Sequence, residues 1–196
     1  MITKNQLRVK RFFDFVLALV LLPFIICPVI FLILLASIDT RKSGLFIQKR
    51  VGQHGRLFKI LKVRSLTNST HKLGAYGEYS SSFGKFLRNS KLDELPQLWN
   101  VIKGDMSFVG PRPDIQGFAD ELEGEDRIIL LVKPGITSEA TLKYKDEDQI
   151  LKHHPNPEFY NKTVIWKDKV KINKNYVENY SFYLDLKIII KSLFIK

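Results

Sequence analysis

A single cysteine in 196 residues leaves no intrachain disulfide to form. That residue, Cys27, stands inside an apolar run, so nothing points to an oxidising compartment. Four scattered histidines beside one cysteine also argue against a zinc cage. Glycine-rich phosphate loops are missing: "VGQHG" lacks the Gly-Lys-Ser/Thr ending, and no G-x-G-x-x-G occurs. Neither kinase-like nor dinucleotide-binding readings have a foothold. No internal repeat is evident, and the length suits one domain with little room for a second core. Acidic residues are in deficit, 20 against 31 basic ones, giving a net charge of +11. Polyanions are therefore the natural partners: nucleic acid, anionic lipid or phosphorylated small molecules.

One long apolar run is present. Residues 15–37, "FVLALVLLPFIICPVIFLILLAS", carry no charge, and as a straight helix would reach roughly 35 Å at ~1.5 Å per residue. That is enough to cross a hydrocarbon core of about 30 Å. The run exceeds the apolar stretch of a cleaved signal peptide, and no small-residue cleavage site follows it. Lys4, Arg8, Lys10 and Arg11 precede it and Arg41, Lys42, Lys49 and Arg50 follow, so both ends carry the cytoplasmic mark. Pro23 and Pro28 favour a bend near the middle. A kinked single crossing and a re-entrant hairpin both fit these residues.

Beyond the run, two short strands are expected around residues 45–48 and 57–61, joined by a turn containing Gly52 and Gly55. Lys59, Lys62 and Arg64 on the second are candidates for phosphate or headgroup contact. Residues 66–82 are polar and aperiodic and read as a loop. A helix is expected over 94–103, where Leu95, Leu98, Trp99 and Ile102 share a face and Gly104 suits the stop, with Asp93 as N-cap and Pro96 in the first turn. Residues 120–132 read as helix-like, 136–144 as a strand or extended arm, and 143–148 and 153–158 as loops. The basic, apolar-rich segment 180–196 reads as a helix that packs on the core or lies along a membrane surface.

The chemistry concentrates in "SKLDELPQLWNVIKGDMSFVGPRP", residues 90–113. A helix N-terminus favours anions, so an Asp there stays ionised while a phosphate docks nearby. Asp93 thus has the attributes of a nucleophile toward phosphorus. Asp93 and Glu94 together could hold Mg²⁺, a hard ion that takes carboxylate and phosphate oxygens. Arg88 and Arg112 supply guanidinium forks for phosphate, and Pro111 and Pro113 restrict the backbone around the latter.

These residues carry a resemblance. "KRFFD" before the apolar run, "FIQKRVGQHGRLFKILKVRSL" after it, "FGKFLRNSKLDELPQLWNVIKGDMSFVGPRP", "VKPGIT" and "SFYLDLKI" stand in the order found in monotopic phosphoglycosyl transferases, the bacterial sugar transferase family, and cover nearly the whole chain. The resemblance implies transfer of a sugar 1-phosphate from a UDP-sugar to a polyprenol phosphate, commonly undecaprenyl phosphate, with release of UMP. By similarity Asp93 is the nucleophile that forms a covalent phospho-sugar intermediate, Glu94 accompanies it at a Mg²⁺ site, and Arg88 and Arg112 lie near the phosphates. The implied fold is α+β, in two parts. Residues 1–40 form a re-entrant membrane helix hairpin, and residues 41–196 a small, mostly helical cytoplasmic domain with short strands and surface amphipathic helices. The implied location is the bacterial inner membrane, with the domain on its cytoplasmic face. Two departures stand out. Cys27 and Pro28 occupy the usual Ser-Pro helix break, with Pro23 as an extra breaker, and "SEATLKYKDED" replaces the common Gly-Leu-Ala-Gln continuation after "PGIT". The sugar is therefore not named by these residues.

Two other readings predict different behaviour. A membrane-bound hydrolase of nucleotide sugars would use the same site with water as acceptor. A non-enzymatic, membrane-tethered basic protein would bind anionic lipid or nucleic acid, but the ordered aromatic positions of a single-strand binder are missing. Nucleic acid is not an expected partner.

Overall fold

A computed structural model of the chain describes residues 1–67 and 76–194. The apolar run forms the centre of α1, Lys4–Thr40. Thr3 starts it with a capping box shared with Gln6, which satisfies donors that the first turn cannot bond internally. The helical assignment runs unbroken through Pro23 and Pro28. Among the described residues α1 is the one helix long and apolar enough to cross a membrane.

Both flanks of α1 pack on the same body. On the N-terminal side the Ile2 amide donates to the Val177 carbonyl at 3.1 Å, and Ala18 enters a core with Ile60, Leu98, Val101 and Met106. On the C-terminal side Leu32 and Ala36 pack with Val63 and Leu87. Between them, residues 23–31 bury no side chain. Phe12, Phe24, Phe31, Leu34 and Ile38 are exposed along the outer face. After the helix the chain folds back against it: a Cβ at Gly44 would stand 1.9 Å from the Ile33 carbonyl oxygen, so only glycine fits that approach.

The expected strand pair is present and longer than the apolar pattern indicated. β1, Leu45–Val51, runs antiparallel to β2, Leu57–Val63, in a register that places Leu45 opposite Val63. The connection contains Gly52, His54 and Gly55, the last two at positive φ. α2, Ser82–Asn89, is capped by the Ser81 hydroxyl and was not anticipated from the sequence. Residues 68–75, eight of the seventeen in the expected polar loop, lie outside the described residues, and Tyr76–Tyr79 in its second half form a 3-10 turn.

The reading of Asp93 as a helix N-cap is corrected. Asp93 and Glu94 sit inside a 3-10 turn, Leu92–Glu94, entered through Lys91 at φ 58°, and Pro96 is the N-cap of α3, Gln97–Lys103. The cause is the missing N–H of Pro96. It cannot reach back four residues to the Leu92 carbonyl, which instead accepts from the Leu95 amide three residues on, tightening the turn. Gly104 ends α3 in the left-handed region, as expected.

A second, parallel pair joins β3, Ser107–Val109, to β4, Gly135–Thr137. Residues 119–131 between them form 3-10 turns, Ala119–Glu121 and Gly124–Leu131, rather than an α-helix. The extended arm expected after Pro134 is only three residues of strand. Ser138 then caps α4, Glu139–Lys143, with its hydroxyl accepting from the Thr141 amide. The expected loops give way to α5, Glu147–Lys152, and α6, Pro157–Tyr160, capped by Asn156. A π turn, Asn161–Ile165, leads into α7, Trp166–Glu178, for which no expectation existed. The terminal helix, α8, is Phe182–Phe194, with Asp185 and Ile188 buried and Tyr183, Leu193 and Phe194 exposed. The whole is α+β, dominated by helices around two short strand pairs.

Candidate active site

The carboxylate pair is buried, Asp93 at 5% and Glu94 at 8% exposure. Burial of two adjacent acids demands compensation. Glu94 has it in full. Lys62 of β2 donates to Oε1 at 2.9 Å, while Arg112 pairs with Oε1 through Nη2 and lies 3.4 Å from Oε2 through Nη1. Asp93 has no hydrogen bond or ion pair from the described residues on its carboxylate. Lys62, Arg88 and Arg112 surround it at longer range.

The electrostatics follow from that asymmetry. Burial opposes ionisation of Glu94, but Arg112 and Lys62 outweigh it and hold the carboxyl well below the usual range. Glu94 in turn raises Arg112, and burial pushes the Lys62 ammonium down despite the pull of Glu94. For Asp93 burial wins: its carboxyl is raised, with Lys62 acting against the rise and the Glu94 charge adding to it. A raised carboxylate with no bonded partner beside a neutralised one is the asymmetry expected of a candidate reactive group.

Three elements aim the cations. Asn100 on α3 is buried and pins β2: the Leu61 amide donates to its Oδ1 at 3.1 Å, and its Nδ2 donates to the Lys59 carbonyl at 2.8 Å. That fixes Lys62 against Glu94. Arg112 leaves β3 through a crossing of two glycines. The Gly110 amide donates to the Thr137 carbonyl and the Gly135 amide to the Pro111 carbonyl, and a Cβ on Gly135 would stand 2.1 Å from the Gly110 nitrogen. Arg88 ends α2 and pairs with Asp148 on α5 at 3.1 Å.

The sequence-derived candidates therefore divide. Asp93, Glu94, Lys62 and Arg112 meet, with Arg88 at the edge. Lys59 is exposed and lies on the opposite pleat of β2 from Lys62. Arg64 donates to the Ser43 carbonyl at 2.6 Å and covers the Phe46 ring, which ties down the chain leaving α1 instead of facing the acids. Cys27, Pro23 and Pro28 lie in the exposed middle of α1, away from this cluster.

Sequence reasoning missed three residues. Asn100 is one; its place on the buried side of an amphipathic helix was the available signal. Gln97, one helical turn past Asp93, is 1% exposed, and its Nε2 lacks a hydrogen-bond partner among the described residues. Asp114 follows the Pro-Arg-Pro run. Burial pushes its carboxyl up to about 7, with Lys169, Arg50 and Arg112 pulling the other way.

Fold and site together define a basic protein with a long apolar helix, whose buried acid pair sits in a cationic corner suited to phosphate esters. The family model described as bacterial sugar transferase matches residues 5–195. The chain is 32% identical over 183 residues to EpsL of Bacillus subtilis (strain 168), an uncharacterized sugar transferase by name, spanning 92% of this chain and 83% of that protein. It is 31% identical to the UDP-galactose-lipid carrier transferase of Erwinia amylovora, over 94% of this chain and 39% of the relative. It is also 32% identical to the UDP-glucose:undecaprenyl-phosphate glucose-1-phosphate transferase of Klebsiella pneumoniae, again over 94% of this chain and 39% of the relative. The chain belongs to the bacterial sugar transferase family, as its motifs implied. It spans about two fifths of the length of those longer relatives.

Proposed function

We propose that this protein is a phosphoglycosyl transferase that moves a sugar 1-phosphate from a UDP-sugar to a polyprenol phosphate, undecaprenyl phosphate by analogy with the names of its relatives. The observation that carries this reading is the asymmetry of the acid pair: Glu94 is neutralised by Lys62 and Arg112, while Asp93 is left bare beside them.

In the first step an Asp93 carboxylate oxygen attacks the phosphorus bonded to the sugar. The P–O bond to the uridylyl phosphate breaks, and UMP leaves with that electron pair. An acyl phosphate carrying the sugar remains on Asp93. A phosphate oxygen of the polyprenol phosphate then attacks the same phosphorus, releasing the Asp93 carboxylate and forming a polyprenyl diphosphosugar. Arg112 and Arg88 supply donors for the charge that builds on the phosphoryl oxygens. Glu94 acts as a positioning residue, holding Lys62 and Arg112 at fixed distance from Asp93. Burial raises the energy of the ionised Asp93, which favours its conversion into the acyl phosphate.

A magnesium site fits these residues in one form. Among the described residues no group of three metal-ligating side chains exists. Mg²⁺ often binds through one or two carboxylates together with substrate phosphates and waters. Asp93 offers such a carboxylate, whereas Glu94 would have to surrender its partners. When bound, the ion would offset phosphate charge entering a buried acidic site.

We also infer a re-entrant α1, with the domain on the cytoplasmic face of the inner membrane. Ile2 and Lys10 at one end and Leu32 and Ala36 at the other contact the same body, so the two ends share a side. Residues 23–31, exposed except for the half-buried Ile25 and Val29 and containing both prolines and Cys27, are the part assigned to lipid on this reading. Cysteines placed near positions 5 and 78 should be labelled by an impermeant reagent from the same side; opposite sides would establish a crossing.

The reaction is tested by UMP release from a panel of UDP-sugars with undecaprenyl phosphate and Mg²⁺. Acceptor-dependent UMP from the wild type, lost in Asp93→Asn, is expected. UMP or sugar phosphate released equally without acceptor would make the protein a hydrolase, and unchanged turnover in Asp93→Asn would remove the nucleophile.

A further inference from the structure

A second cationic site lies at the opposite end of α3 from Asp93. A cavity of about 630 Å³ opens between the first turns of α1 and the loop before β4, lined among others by Arg8, Arg11, Phe12, Asp14, Phe15 and Lys133. The acids of the candidate active site precede α3, while this cavity abuts its C-terminus, about 10 Å further along at ~1.5 Å per residue. None of Asp93, Glu94, Lys62 or Arg112 lines it.

Its cations crowd one another. Arg11 Nη2 and Lys133 Nζ both lie within 3.2 Å of the position that a Cβ on Gly104 would take. Arg11 spends two of its donors on the Val101 and Ile102 carbonyls at the end of α3. A guanidinium has five N–H donors, so others remain. The Lys133 ammonium has no hydrogen bond or ion pair to the described residues. Burial lowers its affinity for a proton, and the Arg11 charge lowers it further. The nearby acids do not cancel this. Asp14 accepts from the Phe108 amide at 3.2 Å, and Asp105 pairs with Lys103 at 3.3 Å. Lys10, also on the wall, is taken by Asp185 at 2.6 Å. Like charges held together, with Asp14 and Asp105 near but no acid paired to either cation among the described residues, mark a place where an anion gains from both.

The surroundings identify the kind of anion. Phe12 is exposed at the rim, and Phe15 begins the uncharged run of α1. On the re-entrant reading of α1 proposed above, this cavity falls at the start of the apolar run, the level at which basic and aromatic side chains meet headgroups. We propose that the cavity binds one anionic phospholipid, its phosphate between Arg11 and Lys133, its acyl chains along Phe12 and Phe15. Arg8 guards the exposed rim. The bound lipid fixes the rotation and depth of α1 where α1 holds the end of α3.

The test uses the full chain in nanodiscs of zwitterionic phospholipid with one quarter phosphatidylglycerol, followed by mild detergent extraction and native mass spectrometry. The wild type should retain one phosphatidylglycerol, and Lys133→Gln should lose it at least tenfold. Arg8→Gln, on the rim and outside any packed region, should lose it about threefold. Lys4→Gln, an equal loss of charge on the same helix outside the cavity, should retain it. Lys133→Arg should also retain it, which separates lost charge from lost fold. Equal retention by wild type and Lys133→Gln would overturn the site, as would equal losses in Lys4→Gln and Lys133→Gln. Displacement of the lipid by inorganic phosphate at low millimolar concentration would overturn the lipid assignment and leave a free-phosphate site.

Discussion

Two buried charge clusters in this molecule use the same side-chain chemistry to opposite ends. Around Asp185 every acceptor is filled: Lys10 donates to Oδ2 at 2.6 Å, Tyr180 to the same oxygen at 3.2 Å, and Tyr176 to Oδ1 at 2.6 Å. Around the 3-10 turn one acid is saturated and its neighbour is bare. The first cluster closes α8 and α7 onto the base of α1 and has nothing left to offer a ligand. The second keeps a carboxylate in reserve within reach of three cations. Burial of charge is thus no indicator of function; incomplete satisfaction of a buried charge is.

The sharpest way to break the comparison is Asp93→Asn. In the proposed reaction, turnover should fall at least about 1,000-fold, since the attacking oxygen is lost. Stability should move the other way. The folded Asp93 carboxyl is raised, so its favourable share is complete below the unfolded value and is lost as pH rises through the folded one. At pH 7 the ionised, unpaired group therefore burdens the fold, and the Asn variant should melt higher. At pH below about 4 that gain should vanish. A variant that is inactive and also less stable at pH 7 would make Asp93 a structural acid like Asp185.

The counterpart is Lys10→Met, which leaves Asp185 buried with only tyrosine donors. Removal of one partner of a buried pair costs about 3–5 kcal/mol, read as a fall in chemical-denaturation midpoint. Activity per folded molecule should stay near wild type. A large loss of turnover in the folded fraction would show that the closed cluster reaches the site after all.

How much of this was legible in the sequence depends on which force decided each element. The β1–β2 pair was, because alternation and glycines are local. So was the end of α3 at Gly104. The acid pair was found, and its electrostatic partners Lys62 and Arg112 were named, yet its backbone setting was misjudged. An absent N–H at Pro96 acts on a carbonyl four residues earlier, and whether the chain answers with a cap or a 3-10 turn is settled by the burial of Leu92 and Leu95 against α1. Lys59 and Arg64 could not be separated from Lys62 by charge alone. Only the pleat of β2 and the exit of the chain from α1 tell them apart. The short helices after β4 follow Ser138 and Asn156 caps, signals that were present but outweighed by polar composition.

The open cluster depends on the scaffold behind it, and Asn100, which clamps β2 through Leu61 and Lys59, tests that scaffold. Asn100→Ala deletes both bonds to β2 and leaves the Leu61 amide and Lys59 carbonyl to find water. The expected loss is about 1–3 kcal/mol. Turnover should fall about tenfold with less change in KM, because Lys62 loses its fixed distance from Glu94. Loss of stability with unchanged kcat would show that β2 holds Lys62 without this clamp.

Asp114 gives the smallest effect and the finest distinction, because it is an intermediate case: more enclosed than a surface acid and partly compensated by Lys169, Arg50 and Arg112. Burial sets its folded carboxyl at about 7, against an unfolded value near 3.9. Between those values the folded chain keeps a proton that the unfolded chain has lost, so stability declines as pH rises from about 4 to 7 and is level above. Asp114→Asn should remove that decline, matching wild type near pH 4 and melting a few degrees higher at pH 8. A variant that instead melts lower at pH 8 would mean the three cations hold Asp114 ionised, placing it with the closed cluster around Asp185 rather than beside Asp93.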